Sequence, residues 1–365
     1  MRVLVVNAGS SSLKLSLLDH DDQLLLGENL PVARERFAED AVRAVLRRSG
    51  GIDAVGHRVV HGGTDFVTPV RVDGTVLKRL DALTDLAPLH QPKSLRALEV
   101  VSRLVPGVPA VACFDTAFHA RMPAAASTYG LPAEWRRRWP LRRFGFHGLS
   151  HAYASRRAAE LAGRELERLR IVSCHLGAGA SLAAVQAGHS VETTMGFTPL
   201  EGLVMATRSG TVDPGLLVWL EEHVGMPPSE LAATLEHRSG LLGLSGRADM
   251  RAVLDAEAEG DADAQLAVEV YLHRLRAGIA AMAAAMGGLD ALVFTGGVGE
   301  RSAPIRSRAV AGLGFLGVAL DAARNDTAPL DAEIGVPQAA VRTFVVEARE
   351  DLEIARGVRA ALGGY

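Results

Sequence analysis

"LVVNAGSSSLKLSLL" (residues 4–18) is two apolar runs joined by a turn of one glycine and three serines, with a lysine just inside the second run. A tight hairpin needs only two turn residues, typically Asn-Gly or Gly-Gly. Hydroxyls and a cation crowded onto this turn suit something negative resting against it. The same plan returns in "IVSCHLGAGASLAAV" (residues 171–185): apolar strand, glycine-bearing turn, second apolar strand. One such hairpin in each half predicts a duplicated α/β fold. Both turns would then lie at a central cleft, where backbone N–H groups can point at the same phosphates.

The rest of the chain alternates in the way an α/β fold requires. Strands are expected at Val3–Val6, Leu13–Leu18, Ala54–Val60, Ala110–Phe114, Arg170–Cys174, Ser181–Gln186, Ala291–Thr295 and Arg342–Val346. A helix is expected near Lys93, behind Pro92 at a favourable first-turn position. Another should run from Ser150 as N-cap to Gly163, and a long one from Asp263 to Met286. Pro- and Gly-bearing segments near 115–132 and 347–352 are the candidate domain boundaries.

Totals bound the function. At 365 residues the chain exceeds the roughly 250–300 at which single cores stop growing, so two domains are expected. A net charge of −3 gives no field for nucleic acid or a membrane surface. The two cysteines, Cys113 and Cys174, lie in strand-like runs and read as buried thiols of a reducing compartment. Only four apolar residues lie between Arg2 and Asn7, too few for a signal peptide. The longest charge-free apolar stretch, Ala277 to Leu289, falls short of the roughly 20 residues a bilayer demands. A cytoplasmic protein without a membrane partner is expected.

Chemistry concentrates in a few segments. "ALVFTGGVGER" (291–301) is a third glycine turn directly after a strand, leading into the helical "SAPIRSRAVAGL". Three such turns read as a nucleotide site, although no P-loop pattern is present. The single G-x-G-x-x-G, "GLGFLG" (312–317), follows a helix and reads as a helix stop. In "AVGHRVVHGG" (54–63), His57 and His61 have the spacing of some zinc helices, but the valines and glycines favour a strand. There Arg58 and Val60 share one face, suiting a small substrate with a carboxylate or phosphate.

"CFDTAFH" puts Asp115 at a strand end, as a catalytic carboxylate or a helix N-cap. "FGFHGLSH" holds His147 between aromatic residues and a glycine. "MATRSGTVDPG" is a bend presenting Arg208, for a cleft or for a surface pair with Asp213. "EWRRRWPLRRFGF" (134–146) has the composition of a single-strand nucleic-acid binder, but its brevity and the overall charge favour a solvated loop or subunit contact.

"NAGSSSLK", "HRVVHGG", "FDTAFH", "RRFGFHGLSH", "HLGAGAS", "TPLEGLVMATRSGTVDPG" and "FTGGVGER" occur in the order found in the acetate kinase family, which the chain resembles over most of its length. The resemblance implies two duplicated actin-like, ribonuclease-H-like α/β domains around a nucleotide cleft. The first would be an acyl kinase domain, 1–117 plus 352–365, and the second a nucleotide-binding domain, 118–351. Asn7 and Glu350 would help hold Mg²⁺. Ser10, Ser12 and Lys14 would sit by the phosphates. His175, Leu176, Gly177, Ala178 and Gly179, with Asp249, Met250 and Arg251, and Gly297, Val298, Gly299, Glu300 and Arg301, would form the nucleotide site. Arg58 would bind the carboxylate or acyl phosphate, Asp115 would be the catalytic carboxylate, and His147 and Arg208 would stabilise the moving phosphoryl group. Val60, Leu89, Phe146 and Pro199 would make the apolar pocket for a methyl group, and a homodimer is implied.

The sequence departs from the family at Ala178 and Arg301, where asparagine is usual, and is shorter between Lys14 and Arg58. "EARED" (347–351) matches only loosely around Glu350. The expected activity is an ATP-dependent phosphotransferase with a carboxyl acceptor: acetate and ATP to acetyl phosphate and ADP. Propionate or butyrate as acid, or a non-catalytic actin-like nucleotide binder, are the alternatives. Acetate is already a nucleophile at pH 7, so the chemistry needs alignment and positive charge more than a base.

Overall fold

The computed structural model describes residues 1–9, 12–33, 36–37, 39–87 and 91–363, with backbone alone at 32, 33, 36 and 37. Ser10 and Leu89, expected at the phosphates and in the methyl pocket, lie outside the described residues. The chain divides into two compact units. The first comprises Met1–Ala120, Phe146–Tyr153 and Arg349–Tyr365; the second comprises Arg121–Gly145 and Ala154–Ala348. Phe146–Tyr153 thus joins the first unit, where the sequence reading set it in the second. Its Leu149 packs into the first unit's core, beside Val111 and Ile354.

The first unit is built on strands β1 (Val3–Ala8), β2 (Ser12–Leu18), β3 (Leu24–Ala33), β4 (Arg36–Phe37), β5 (Ala54–Val59), β6 (Val70–Arg71) and β7 (Ala110–Phe114), in the order β4-β3-β2-β1-β5-β7-β6. β1, β5 and β7 are parallel neighbours, and β2 returns antiparallel beside β1. Alternation along β1 explains the layers. Val3 and Val5 face the helix Glu350–Leu362, which supplies Ile354, Ala355 and Val358. Leu4 and Val6 face the opposite side with Leu13, Leu15 and Leu17 of β2, against Val42, Val45, Ala97 and Val101 of the helices Glu39–Arg48 and Gln91–Leu104.

The second unit contains β8 (Arg170–Leu176), β9 (Ala180–Gln186), β10 (His189–Thr193), β11 (Ala291–Thr295), β12 (Ala332–Glu333) and β13 (Arg342–Val345), in the order β10-β9-β8-β11-β13-β12. β8, β11 and β13 are parallel, β9 returns beside β8, and β12 runs antiparallel to β13. Six strands of the first sheet follow the same plan, β3-β2-β1-β5-β7-β6, down to an antiparallel edge strand that precedes its neighbour in sequence. The duplication anticipated from two hairpins is therefore a duplication of the whole sheet. The α/β class is as expected.

Eight expected strands are present, and β3, β10 and the two-residue β4, β6 and β12 were not anticipated. β3 contains Gly27, Glu28, Asn29 and Pro31, all poor strand formers, so its pairing to β2 overrides local propensity. Cys113 and Cys174 are buried free thiols. The helix placed at Ser150 starts two residues earlier, at Gly148. The glycines of "GGVGER" do not simply precede a helix; Gly296–Arg301 is itself a short one, and Ala303–Ala311 follows it. "GLGFLG" ends that second helix and gives a 3₁₀ turn, Gly314–Leu316.

Candidate active site

In the first unit the parallel register does the assembly. Val6 pairs with His57, which sets Asn7 beside Arg58; Arg58 pairs with Cys113, and Asp115 follows β7 directly. Three polar side chains thus stand in a row at the carboxyl ends of three adjacent strands, where open α/β sheets carry their ligands. Arg58 Nε donates to both Asp115 oxygens at 3.2 and 3.1 Å, and Nη2 to Oδ2 at 2.6 Å. Nη1 donates to Asn7 Oδ1 at 3.1 Å and lies 3.8 Å from Glu350 Oε2. Asn7 Nδ2 in turn donates to Glu350 Oε2 at 2.7 Å. Asp115 is therefore not a helix cap; it is the anchor of Arg58.

Complete burial pushes the Asp115 carboxyl above its usual range, with Arg58 pulling it down and Glu350 reinforcing the rise. Burial works against the Arg58 charge, but Asp115 and Glu350 outweigh it and raise its pKa. Both carboxylate oxygens accept N–H bonds, which is the arrangement of an ionised pair. Three of the five Arg58 N–H groups are engaged among the described residues. The other two make no hydrogen bond among the described residues, although Nη1 also faces Glu350 at 3.8 Å.

His147 reaches this row through its backbone, next to Gly148, which bonds to the Asp115 carbonyl. His147 has φ of 55°, in the left-handed region that a non-glycine residue rarely adopts, and its carbonyl opens the helix Gly148–Ala162 by accepting His151 N. Gly148 N donates to the Asp115 carbonyl at 3.1 Å, and a Cβ on Gly148 would collide with that oxygen. Only glycine lets the helix start sit there. Val60 and Phe146 are buried, and Phe146 meets His61 edge-on at 5.6 Å. Ser12 and Lys14 lie at the β1–β2 hairpin, with Lys14 exposed opposite Asn7.

Two supporting residues carried no sequence signal that was read. Buried Gln91 accepts from His61 N and donates to His61 O, fixing the end of the β5 segment. Thr116 Oγ1 accepts from Gly62 N at 3.0 Å. Thr116 was findable, because it sits beside Asp115 in "FDT".

In the second unit the turns after β8 and β11 lie side by side, since Thr295 pairs with His175. A Cβ on Gly177 would reach within 3.9 Å of Gly297 N, and Gly296 (φ +76°) presses against the Leu176 backbone. A cavity of about 450 Å³ opens beside them. Of the expected nucleotide residues, Gly177, Ala178, Asp249, Met250, Arg251, Gly297, Val298 and Arg301 line it. Leu176 is instead buried in the core. Glu300 turns its carboxylate inward, Oε1 accepting from Gly296 N at 3.0 Å and Ala348 N at 2.9 Å.

Asp249 also caps the helix Met250–Ala258. Leu254 and Asp255 line the cavity as well; they lie three and four residues beyond Arg251, a helical spacing that could have named them.

Arg208 does not pair with Asp213. Asp213 caps the helix Pro214–Trp219, accepting from Gly215 N. Arg208 Nε instead meets Glu236 Oε1 at 3.0 Å, and Nη1 donates to the Pro199 carbonyl at 2.9 Å. Burial lowers the Arg208 pKa, with Glu236 opposing. The loop is stitched to helix Pro228–His237 by Thr207 Oγ1 to Glu236 O and Ser209 N to Leu235 O. Ala206 N donates to Ala178 O at 3.1 Å, so the Arg208 loop abuts the glycine turn.

The oxygen donors that could take a metal role are Glu350 Oε2 and Asn7 Oδ1; in this structure the Asn7 amide turns its Nδ2 to Glu350 at 2.7 Å and its oxygen to Arg58 Nη1 at 3.1 Å. One carboxylate and one amide oxygen are hard donors, and Mg²⁺ is commonly held by one or two carboxylates, water and substrate phosphates. Among the described residues no group of three or more acidic, histidine or cysteine side chains could hold a metal, so these two would supply only part of such an ion's shell, the rest coming from water and phosphate.

Comparison with known proteins bears on the whole chain. Residues 28–356 match the model of the Acetokinase family. Acetate kinase of Gloeobacter violaceus is 45% identical, covering 98% of each chain, and that of Synechococcus sp. (strain JA-2-3B'a(2-13)) is 43% identical, covering 100% of each. Among solved structures, Porphyromonas gingivalis acetate kinase superposes with a TM-score of 0.89 at 36% identity, covering 99% of both chains. A propionate kinase from Francisella tularensis gives 0.90 at 35%, covering 98% of this chain and 99% of its own. A family match over most of the chain, with relatives 45% and 43% identical along nearly its whole length, places it: the chain belongs to the acetokinase family.

Proposed function

We propose that this protein is an acetate kinase, transferring the γ-phosphoryl group of ATP reversibly to acetate. The observation that carries the reading is buried Arg58, its planar fork fixed by Asp115 and Asn7, with two N–H groups left to orient a small carboxylate. Arg58 aligns the acid, and Asp115 locks Arg58 rather than removing a proton. The acetate oxygen forms a bond to γ-phosphorus while the bond to the ADP oxygen breaks; no proton needs to move. His147 and Arg208 stabilise charge on the equatorial oxygens, and an arginine in that role is worth about 10³–10⁵ in rate.

The glycine turns of the second unit, with Asp249, Met250, Arg251 and Arg301, take the nucleotide; Ser12 and Lys14 of the first hairpin serve the phosphates. Asn7 and Glu350 would hold Mg²⁺, which supplies charge neutralisation on the phosphates. In this reading the first unit is the acyl-binding domain and the second the nucleotide domain. The protein acts in the cytoplasm as a homodimer. Among the described residues no helix is long and apolar enough to cross a membrane.

Trapping the product with hydroxylamine tests the activity. Acetohydroxamate should form from acetate, MgATP and enzyme; nucleotide binding without hydroxamate would favour the non-catalytic alternative. Propionate is the second reading, because the Francisella tularensis propionate kinase superposes as well as the acetate kinase does.

A further inference from the structure

Arg306 sits behind the turn Gly296–Arg301 and is only 4% exposed. Its Nη1 donates to the carbonyl oxygens of Gly299 at 2.9 Å and Glu300 at 2.8 Å. Nε donates to Asn325 Oδ1 at 2.9 Å and Nη2 to the Asn325 carbonyl at 2.6 Å. Asn325, equally buried, donates its own Nδ2 to Ala303 O at 3.0 Å. Among the described residues no carboxylate forms an ion pair with Arg306. Burying a guanidinium in this way costs several kcal/mol before its hydrogen bonds are counted, and an apolar side chain would fill the space at less cost. What the guanidinium adds is direction: its N–H groups fix where the Gly299 and Glu300 carbonyls point.

Those two carbonyls end a six-residue helix whose front, Gly297, Val298 and Arg301, lines the 450 Å³ cavity. Carbonyls at a helix end have no partner within the helix, so the last turn is free to unwind unless something outside holds it. Arg306 and Asn325 hold it from behind. At the other end Glu300 Oε1 pins Gly296 N to Ala348 N. A segment fixed at both ends gives up little conformational freedom when a ligand settles on it, which raises affinity without any added contact.

We propose that Arg306 and Asn325 are positioning residues that preorganise the nucleotide turn and thereby set nucleotide affinity; this rests on the cavity being the nucleotide site. Lysine keeps the charge at 306 but cannot bridge four acceptors. Titration calorimetry with MgADP, steady-state kinetics and thermal melts on wild type, Arg306→Lys and Asn325→Ala test it. The expected result is a rise of about tenfold in MgADP Kd and ATP KM for Arg306→Lys. For Asn325→Ala, which keeps the bonds to Gly299 and Glu300, the expected rise is about threefold. In both, kcat and acetate KM stay within twofold.

Unchanged Kd in folded variants overturns the proposal, as does a parallel loss of kcat and both affinities tracking Tm. If Arg306→Lys does not fold, Asn325→Ala decides alone on the same readings. Wild type that fails to bind MgADP defeats the nucleotide reading itself; wild type that binds while the variants bind equally defeats only the clamp.

Discussion

Arg58 and Arg208 are both largely buried arginines, yet their surroundings differ in a way that separates their jobs. Arg58 is fixed by a carboxylate through both Nε and Nη2, whereas Arg208 holds one carboxylate through Nε and a backbone carbonyl through Nη1. The sequence pointed to both residues and weighed Asp213 as a surface partner for Arg208, a pairing the fold does not make. Asp213, five residues from Arg208, was the nearest acid, and it is used as a helix cap; Glu236, twenty-eight residues on, is the one the fold delivers. Replacing Arg208 with Ala is expected to lower kcat by about 10³–10⁵ while MgADP still binds; near-normal turnover would remove it from the reaction. At Val60 the pocket argument is one of size. Val60→Ala should raise the propionate-to-acetate ratio of kcat/KM, since a methylene of fit is worth about 1–3 kcal/mol. A ratio that does not move takes Val60 out of the pocket.

Helices and strands explain what single residues cannot. The helix Gly148–Ala162 begins where it does because position 148 has no side chain, which lets it rest on the Asp115 carbonyl and hold His147 in its unusual backbone. Gly148→Ala should therefore cost about 1–3 kcal/mol of stability as an overpacking change and lower kcat at least tenfold; full activity at lowered Tm would disconnect the helix start from catalysis. β5, the segment just after it and the turn after β7 bury three histidines, His57, His61 and His119, as neutral rings. Burial depresses His57 to about 3 and His61 to about 4, and His119 falls to about 4 by burial despite its bond to the Phe146 carbonyl. Unfolded histidines titrate near 6.5, so below that pH the unfolded chain takes up protons the native chain refuses. Stability is complete above pH 6.5 and falls as pH drops through about 4, by up to ~1.4 kcal/mol per pH unit for each histidine. His57, whose ring nitrogens have no partner among the described residues, makes the cleanest control. Urea unfolding of His57→Leu at pH 7 and pH 5 should show a smaller difference than wild type; an identical difference would mean His57 does not titrate this way.

On the scale of the molecule, the six-strand plan repeated in both units is the main organising fact, and it places Asn7, Arg58 and Asp115 in the first unit and the two glycine turns in the second at the carboxyl ends of parallel strands, while Arg208, Asp249, Met250 and Arg251 come from the long connection between β10 and β11. The family resemblance implies a homodimer. Light scattering should return twice the 38.5 kDa of one chain, and a single-chain mass at micromolar concentration rejects the dimer. Local chemistry made the two glycine hairpins, most of the buried strands, and the arginines, histidine and carboxylate proposed for the site legible before any coordinates. Those features depend on short-range pattern: apolar runs, turn residues, and polar groups at strand ends. The sequence did not show that β3 pairs despite its glycine and proline, or that Glu300 faces backbone amides rather than the cavity. It did not show that Asn7, Arg58 and Asp115 stand in one row, or that Arg306 bonds to the carbonyls of the turn Gly296–Arg301. Each of these joins residues brought together by strand register and packing, and register is fixed by which faces must be buried across the whole sheet, not by any neighbour along the chain.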